Sequence, residues 1–197
     1  MMWAGAISAG MSVLWGYEAK AGKAADAPVQ WPIKSNLERP TNRALLLVAI
    51  HPHCPCSRAA IGELSRLMTR HAGHVRAQVL FVKPIGVPID WEKTDLWQSA
   101  SVIPGVQVKC DPNGEEAALF NAATSGQTML YGKDGKLLFS GGITAARGHF
   151  GDSTGQAAIS SLLTNESAEY PYTPVYGCPL LDDESDHNKQ GHICKAP

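Results

Sequence analysis

Two cysteines, Cys54 and Cys56, stand on either side of one proline shortly after an apolar run, Ala44–Ile50. The run is typical of a strand buried on both faces, and the pattern from Ser57 onward is typical of an amphipathic helix. A helix N-terminus presents unpaired backbone N–H groups and the positive end of the macrodipole, so it favours the thiolate form of a cysteine. Because the thiolate is the form that attacks disulfides, this junction predicts thiol redox chemistry.

The two sulfurs are expected to have different roles. With Pro55 at the first helical position, Cys54 falls at the N-cap and Cys56 falls just inside the helix. Cys54 is then the predicted nucleophile, and Cys56 resolves the mixed disulfide that Cys54 forms with a partner. A disulfide across one intervening residue closes a small ring away from relaxed torsion, so we expect a relatively oxidising couple. The alternative interpretation is a pair of structural thiols.

A metal site is a second hypothesis for the same segment. His51, His53, Cys54 and Cys56 place four soft or borderline metal ligands within six residues. Thiolate and imidazole suit Cu(I) or zinc, so a metal carrier, with copper as its cargo, is the alternative function. Against it, zinc sites usually leave two or more residues between paired cysteines. The competing roles of the histidines are plain turn residues or groups that stabilise the thiolate.

The other cysteines are scattered, and two interpretations of them stay open. Cys178 and Cys194 enclose a loop of about 15 residues, and a bridge between them would stabilise the tail by roughly 3 kcal/mol. Alternatively, Cys178 folds back as a third redox partner of Cys54. Cys110 lies at the end of a predicted strand, where a cysteine is usually a small buried hydrophobe. No organic cofactor is predicted, because no phosphate-binding Gly-rich loop precedes a helix.

The first 17 residues carry no charged side chain and are largely apolar. Spanning a bilayer takes about 20 apolar residues, whereas the core of a signal peptide takes only ~7 to 15. Ala19 and Ala21 supply an AxA cleavage pattern, so residues 1–30 are interpreted as a signal peptide, or an uncleaved membrane anchor, with a linker. Export would place the cysteines in the periplasm or another extracytoplasmic compartment, where disulfides persist.

The elements predicted after this segment alternate between strands and helices. Residues 31–165 form the predicted domain, and the Pro-rich, acidic residues 166–197 form an irregular tail. An Asp-Gly turn at Asp134 predicts a closing hairpin, and Asp152 or Ser153 is expected to cap a last helix that reaches Leu163. The predicted strands are 44–50, 75–82, 105–110, 128–131 and 137–140, and the predicted helices are those from 57, at 92–100, at 115–122 and up to 163.

The order of elements and the placement of the cysteines resemble the thioredoxin fold in its exported form. The nearest group is the thioredoxin-like proteins that include TlpA and RedB proteins. Similarity to RedB proteins lies in HPHCPCSRA at 51–59, LYGKDGKLLFSGGIT at 130–144, RGHFGD at 147–152 and YGCPL at 176–180. The resemblance implies an α/β domain with a central mixed sheet, a terminal β-hairpin and flanking helices. It also implies a thiol–disulfide oxidoreductase that acts on protein thiols or disulfides.

The chain departs from the thioredoxin pattern in two places. The family carries CxxC, whereas one intervening residue is missing here, so Cys54 has moved one place towards the helix if Cys56 is the resolving cysteine. The family also has a cis-proline before the hairpin strand, which faces the cysteines and pairs with substrate backbone. That place falls near Gln127, within 124–128, where there is no proline, so the usual docking route is not implied.

Three further observations limit the expected functions. Peroxiredoxins share the fold and need a Thr three residues before the reactive cysteine, where this chain has His51, so peroxidase activity is not expected. Arg147 and His149 follow a predicted strand end, where a binding group and a solvated loop are both open interpretations. The 17 basic and 18 acidic residues form no long Lys/Arg cluster, which argues against nucleic acid as a partner.

Overall fold

The computed structural model describes residues 2–23, 26–164 and 167–181. Five strands form one mixed sheet in the order β3-β2-β1-β4-β5. They are β1 (Ala44–Ile50), β2 (Val75–Lys83), β3 (Val106–Pro112), β4 (Gln127–Tyr131) and β5 (Leu137–Gly141). The helices are α1 (Met2–Glu18), α2 (Ser57–Arg70), α3 (Asp95–Ser101), α4 (Glu115–Leu119) and α5 (Thr154–Leu163).

The strand β1 lies at the centre of the sheet. It pairs in parallel with β2 on one side and antiparallel with β4 on the other, and it is apolar at all its positions. Successive side chains of a strand point to opposite faces, so both faces of β1 can be covered. Leu46, Val48 and Ile50 face the larger core cluster, whereas Leu47 belongs to a second cluster.

Helices cover both faces of the sheet. The apolar side of α2 packs on the larger cluster through Ile61, Leu64, Leu67 and Met68, and α5 joins it through Ile159. The second cluster contains an aromatic group in which Trp31 meets Phe120 and Tyr131 edge-on, with ring centroids 4.8 and 5.1 Å away. The carboxyl end of β1, from which the CxC turn emerges, is packed on both faces: Ile50 lies in the larger cluster and Ala49 in a third, smaller cluster.

The predicted fold class is confirmed. The parallel crossover from β1 through α2 to β2 and the antiparallel hairpin of β4 and β5 give a thioredoxin-like arrangement with flanking helices. Of the two residues predicted to cap α5, Ser153 is the cap: its side chain accepts a hydrogen bond from the Gln156 amide. The helix predicted at 115–122 is shorter, because Asn121 takes a left-handed conformation with φ of 52°.

The described part of the tail packs on the domain without forming a helix or a regular strand. Its backbone makes single pairings at two places, Ser140 with Tyr172 and Thr124 with Pro179, and Leu180 is buried. Cys194, the predicted partner of a tail disulfide, lies outside the described residues. At the other end of the chain, α1 covers most of the predicted signal or anchor segment. No helix of the described residues is long and apolar enough to cross a bilayer.

Candidate active site

Cys54 lies in a tight turn between β1 and α2. The Cys54 amide donates to the carbonyl oxygen of His51, and the Ser57 amide donates to the carbonyl oxygen of Cys54, each at 3.1 Å. These bonds span three residues, as in a 3₁₀ turn, so the α-helix proper begins only at Ser57. The N-cap is therefore Cys56, and the predicted N-cap position of Cys54 is wrong by two residues. Cys54 still lies at the amino end of α2.

The sulfur of Cys178 lies directly beside that of Cys54. The two Sγ atoms are 3.0 Å apart, and Cys54 is only 1% exposed. The hydrogen bond from the Cys178 thiol is the largest cause that lowers the pKa of Cys54 to about 4, and a hydrogen bond from Ser57 acts in the same direction. Burial opposes both effects. The structure thus brings together Cys54 and Cys178, which the sequence left as one of two alternatives.

The hydrogen bond between Cys178 and Cys54 shifts the pKa values of the two thiols in opposite directions. The pKa of Cys178 is raised far above its usual range, first because its proton is held by Cys54 and then because the thiol is buried. Burial also raises the pKa of the half-buried Cys56, and the negative charge of Cys54 raises it further, while Arg147 opposes both. Of the three thiols, Cys54 is therefore the one that is ionised near neutral pH.

The loop before β4 faces the CxC turn, at the place where the resemblance put a cis-proline. Ser125 joins the loop to the turn: its Oγ accepts a hydrogen bond from the His51 amide and lies 2.7 Å from the Oγ of Ser57. Gln127, near which the family's cis-proline would stand, is buried, and its Oε1 accepts a hydrogen bond from the Ala123 amide at 3.1 Å. The Gln127 side chain therefore stabilises the conformation of this loop and does not face the cysteines through that contact.

Ser57 and Ser125 are the site residues that sequence reasoning missed. Both side chains are 1% exposed, and together they join the CxC turn to the loop before β4. The available signal was a serine directly after CPC, at a position that the helical pattern would otherwise fill with an apolar residue. For Ser125 the only signal was a Ser-Gly pair before a strand, which is common in turns.

His51 and His53 are directed into a different set of contacts. The His53 amide donates to Nδ1 of His51 at 3.2 Å, and Nε2 of His53 lies 3.1 Å from the Trp91 carbonyl oxygen. The Trp91 ring packs against both imidazoles, with centroid distances of 4.5 Å to His53 and 5.5 Å to His51. Within the described ranges, no three His, Cys, Asp or Glu side chains could hold a metal ion together. The structure therefore does not bring the four predicted ligands together as one set, and the metal carrier stays a prediction.

Arg147 reaches the cysteines from the loop between β5 and α5. Its guanidinium group acts on Cys56, and its Nε also donates to the Lys20 carbonyl oxygen at 3.1 Å. The far end of this loop is held by Glu63, a fully buried residue of α2 whose Oε1 accepts a hydrogen bond from the Gly151 amide at 2.7 Å. Arg147 is therefore held at the Lys20 backbone and opposes the rise in the pKa of Cys56. His149 contacts the end of α1, with Nε2 4.0 Å from a Glu18 carboxylate oxygen.

Cys110 is not the buried residue that its strand position predicted. It is exposed, because β3 is the edge strand of the sheet and its outer side has no neighbouring strand. Its pKa is raised by partial desolvation of the sulfur and by the nearby Glu92 carboxylate. Cys110 therefore has neither the burial nor the ionisation of Cys54.

Comparison with protein-family models gives no match, and comparison with curated proteins gives none either. Among solved structures, the chain is similar to an uncharacterized conserved protein from Geobacillus kaustophilus, at 20% identity and a TM-score of 0.61, over 84% of this chain and 94% of that one. It is also similar to a hypothetical protein from Sinorhizobium meliloti 1021, at 19% identity and a TM-score of 0.60, over 82% and 93%. Likeness to the exposed lipoprotein thioredoxin of Streptococcus pneumoniae strain TIGR4 is lower, with 16% identity and a TM-score of 0.44 over 72% and 99%.

These likenesses concern the fold. The strand order, the parallel crossover and the closing hairpin show a thioredoxin-like fold.

Proposed function

We propose that the protein is a thiol–disulfide oxidoreductase of the RedB-like type, with Cys54 as its nucleophile and Cys56 as its resolving cysteine. The observation that carries the proposal is the state of Cys54: a sulfur at the amino end of α2, hydrogen-bonded by a second thiol 3.0 Å away, with its pKa lowered to about 4. A structural thiol in an apolar core would have its pKa raised instead.

The reaction transfers two electrons between the cysteine pair and a partner protein. The Cys54 thiolate attacks one sulfur of the partner's disulfide, and the other partner sulfur leaves as a thiolate. Cys56 then loses its proton to solvent and attacks the Cys54 sulfur, which releases the first partner sulfur as a thiolate. The partner is reduced to a dithiol and the pair is oxidised to a disulfide; the reverse sequence oxidises a partner.

The low pKa of Cys54 favours the relatively oxidising couple expected from the CxC spacing. A thiolate that is stabilised in the reduced protein makes the reduced state more favourable, and this raises the reduction potential. In a mixed disulfide, a low-pKa sulfur is also the better leaving group, so release of Cys54 is fast. Both effects suit a protein that passes its disulfide to other proteins.

We further propose that the protein works outside the cytoplasm, on protein thiols or disulfides as partners, with residues 1–17 as its export signal or membrane attachment. The uncharged, apolar composition of that segment supports the proposal. Disulfide exchange through a cysteine pair suits such an oxidising compartment.

Trapping tests the proposed roles. A Cys56→Ser, Cys178→Ser double variant keeps Cys54 but removes both neighbouring thiols, so its mixed disulfide with a small reporter protein containing one disulfide should accumulate. Mass spectrometry should place the adduct on Cys54. A triple variant that also carries Cys110→Ser is the matched control and should trap equally well. Failure of the double variant to form any adduct at Cys54 would refute the proposed function.

A further inference from the structure

The described tail segment 176–180 lies against the loop before β4 in a strand-like manner. The Ser125 amide donates to the Cys178 carbonyl oxygen at 2.8 Å, and the Leu180 amide donates to the Ala123 carbonyl oxygen at 3.0 Å. Pro179, between them, pairs antiparallel with Thr124 and has no N–H that would need a partner. An extended peptide bound to an exposed backbone edge makes hydrogen bonds of this kind.

The fit between this segment and the loop is close. A Cβ atom on Gly177 would lie 1.9 Å from the Ser125 carbonyl oxygen, so only glycine allows this approach. On the other side of the cysteine, Leu180 is buried in a small cluster with Ala49, Val82 and Ala117. A glycine and a buried leucine therefore hold the Cys178 sulfur beside Cys54.

The same contacts close off Cys54. Cys54 is 1% exposed, and Cys178 occupies the position 3.0 Å from its sulfur that a partner's sulfur would need. The backbone groups of Ser125 and Ala123 that could pair with a partner peptide are also taken by the tail. A partner protein can thus reach Cys54 only after the segment has moved.

We propose that residues 176–180 are an internal substrate of the enzyme: they bind in the position of a partner peptide, cover Cys54 and form a Cys54–Cys178 disulfide on oxidation. This inference rests on the proposed function of Cys54 as the nucleophile. It assigns to Cys178 the role of a third redox cysteine, and it assigns to the tail the role of a cover that competes with protein partners.

The oxidation balances with a small disulfide such as glutathione disulfide. When the segment moves away, the Cys54 thiolate attacks one of the glutathione disulfide sulfurs, and one glutathione leaves as a thiolate; the segment then returns. Cys178 then releases its proton to solvent and attacks the Cys54 sulfur, which displaces the second glutathione. Cys54 and Cys178 together lose two electrons, and the glutathione disulfide gains them. Attack by Cys56 on Cys54 would afterwards free Cys178 without a net change in oxidation.

The first test is the linkage formed in a reduced, full-length Cys56→Ser variant treated with glutathione disulfide. After an acid quench, peptide mapping should find Cys54 joined to Cys178 as the main product. The proposal is overturned if Cys54 stays joined to glutathione or if Cys178 is found joined to Cys194.

The second test measures how strongly the tail segment shields Cys54 from a reagent, and it leaves every thiol in place. Gly177→Ala should displace the segment, so the rate of Cys54 alkylation by iodoacetamide, measured at a pH where the sulfur is fully ionised in both proteins, should rise about tenfold. Using this limiting rate removes the effect of the lost Cys178 hydrogen bond on the pKa of Cys54. Gly16→Ala is the matched control, because its added methyl meets open space, and its rate should equal that of the unaltered chain.

Leu180→Ala provides a second way to loosen the segment and should also raise the limiting rate. Melting followed by circular dichroism checks that both variants are folded. Unchanged limiting rates in both variants would overturn the proposal that residues 176–180 cover Cys54. The proposed function would still stand in that case if Cys54 forms the trapped adduct. If Cys54 is unreactive in every variant and forms no adduct, the proposed function fails together with the inference.

Discussion

Cys54 lies just beyond the carboxyl end of β1, and Cys110 lies near the carboxyl end of β3, in the same sheet. Ile50, Phe81 and Cys110 stand in one row across β1, β2 and β3, and Cys54 follows Ile50 by four residues. The central strand leads into α2 and is covered by the loop before β4 and by the tail. The edge strand has no neighbour on its outer side, and its cysteine is exposed.

The two thiols differ because of what surrounds them. Hydrogen bonds from Cys178 and Ser57 outweigh the effect of burial and lower the pKa of Cys54, whereas Cys110 has partial desolvation and the Glu92 carboxylate, which both raise its pKa. The comparison teaches that strand position brings a cysteine to this edge of the sheet, while hydrogen-bond donors decide whether it ionises.

The largest expected effect is the loss of disulfide exchange when Cys54 is removed. Cys54→Ser should slow reduction of a reporter disulfide by on the order of a thousandfold, because serine cannot form the mixed disulfide. Cys110→Ser should keep the rate of the unaltered chain. The check is a rate measured from release of reporter thiols; equal losses in the two variants would show that Cys54 has no special role.

The next effect is a change in the pKa of Cys54 when its main donor is removed. Cys178→Ala should raise that pKa from about 4 towards the ordinary value, because the thiol hydrogen bond is the largest cause of the shift. Cys178→Ser retains a hydroxyl donor and should raise it less. Ultraviolet absorbance of the thiolate during a pH titration gives both values. A pKa that does not move in Cys178→Ala would contradict the assigned cause.

A third prediction concerns stability. A folded-state pKa below the unfolded one gives stability that is lost as pH falls through the folded value, so the contribution of Cys54 should grow as pH rises from about 4 towards its unfolded pKa. Urea unfolding of the reduced protein at several pH values measures it. The difference in unfolding free energy between the unaltered chain and Cys54→Ser should widen over this range. The same difference for Cys110→Ser should not widen.

The smallest effect is expected at the edge strand. Glu92→Gln keeps a polar partner for Lys83, which lies 2.8 Å from the Glu92 carboxylate, but removes the negative charge near Cys110. The pKa of Cys110 should fall slightly, because the Glu92 charge is only the second cause of its rise, and the pKa of Cys54 should not change. Alkylation of each cysteine as a function of pH, resolved by mass spectrometry, would report both. A change at Cys54 would show that the two ends of the strands are electrostatically linked.

The fold could be predicted from the sequence because its main signals are local. The apolar run of β1, the 3.6-residue period of α2 and the Asp-Gly turn between β4 and β5 each specify one element, and the order of these elements leaves few topologies. The bounds of a short element depend on single residues, as α4 shows: one left-handed residue, Asn121, ends it early.

The candidate site could be predicted only in part. The CxC pair was visible as neighbouring residues, but the contact of Cys178 with Cys54 joins residues 124 positions apart in a segment without periodic structure. Cys110 was placed wrongly because its strand was recognised while its place at the sheet edge was not. Ser125 depends on the packing of two loops, which a local pattern does not encode.

The most direct test of the central claim is the pH dependence of Cys54 alkylation in the reduced, full-length protein, with each cysteine followed separately by mass spectrometry. The structure predicts a midpoint near 4 for Cys54 and a midpoint above the ordinary thiol range for Cys110. A Cys54 midpoint at the ordinary thiol value of about 8.5 would contradict the claim that the end of β1 holds an activated thiolate.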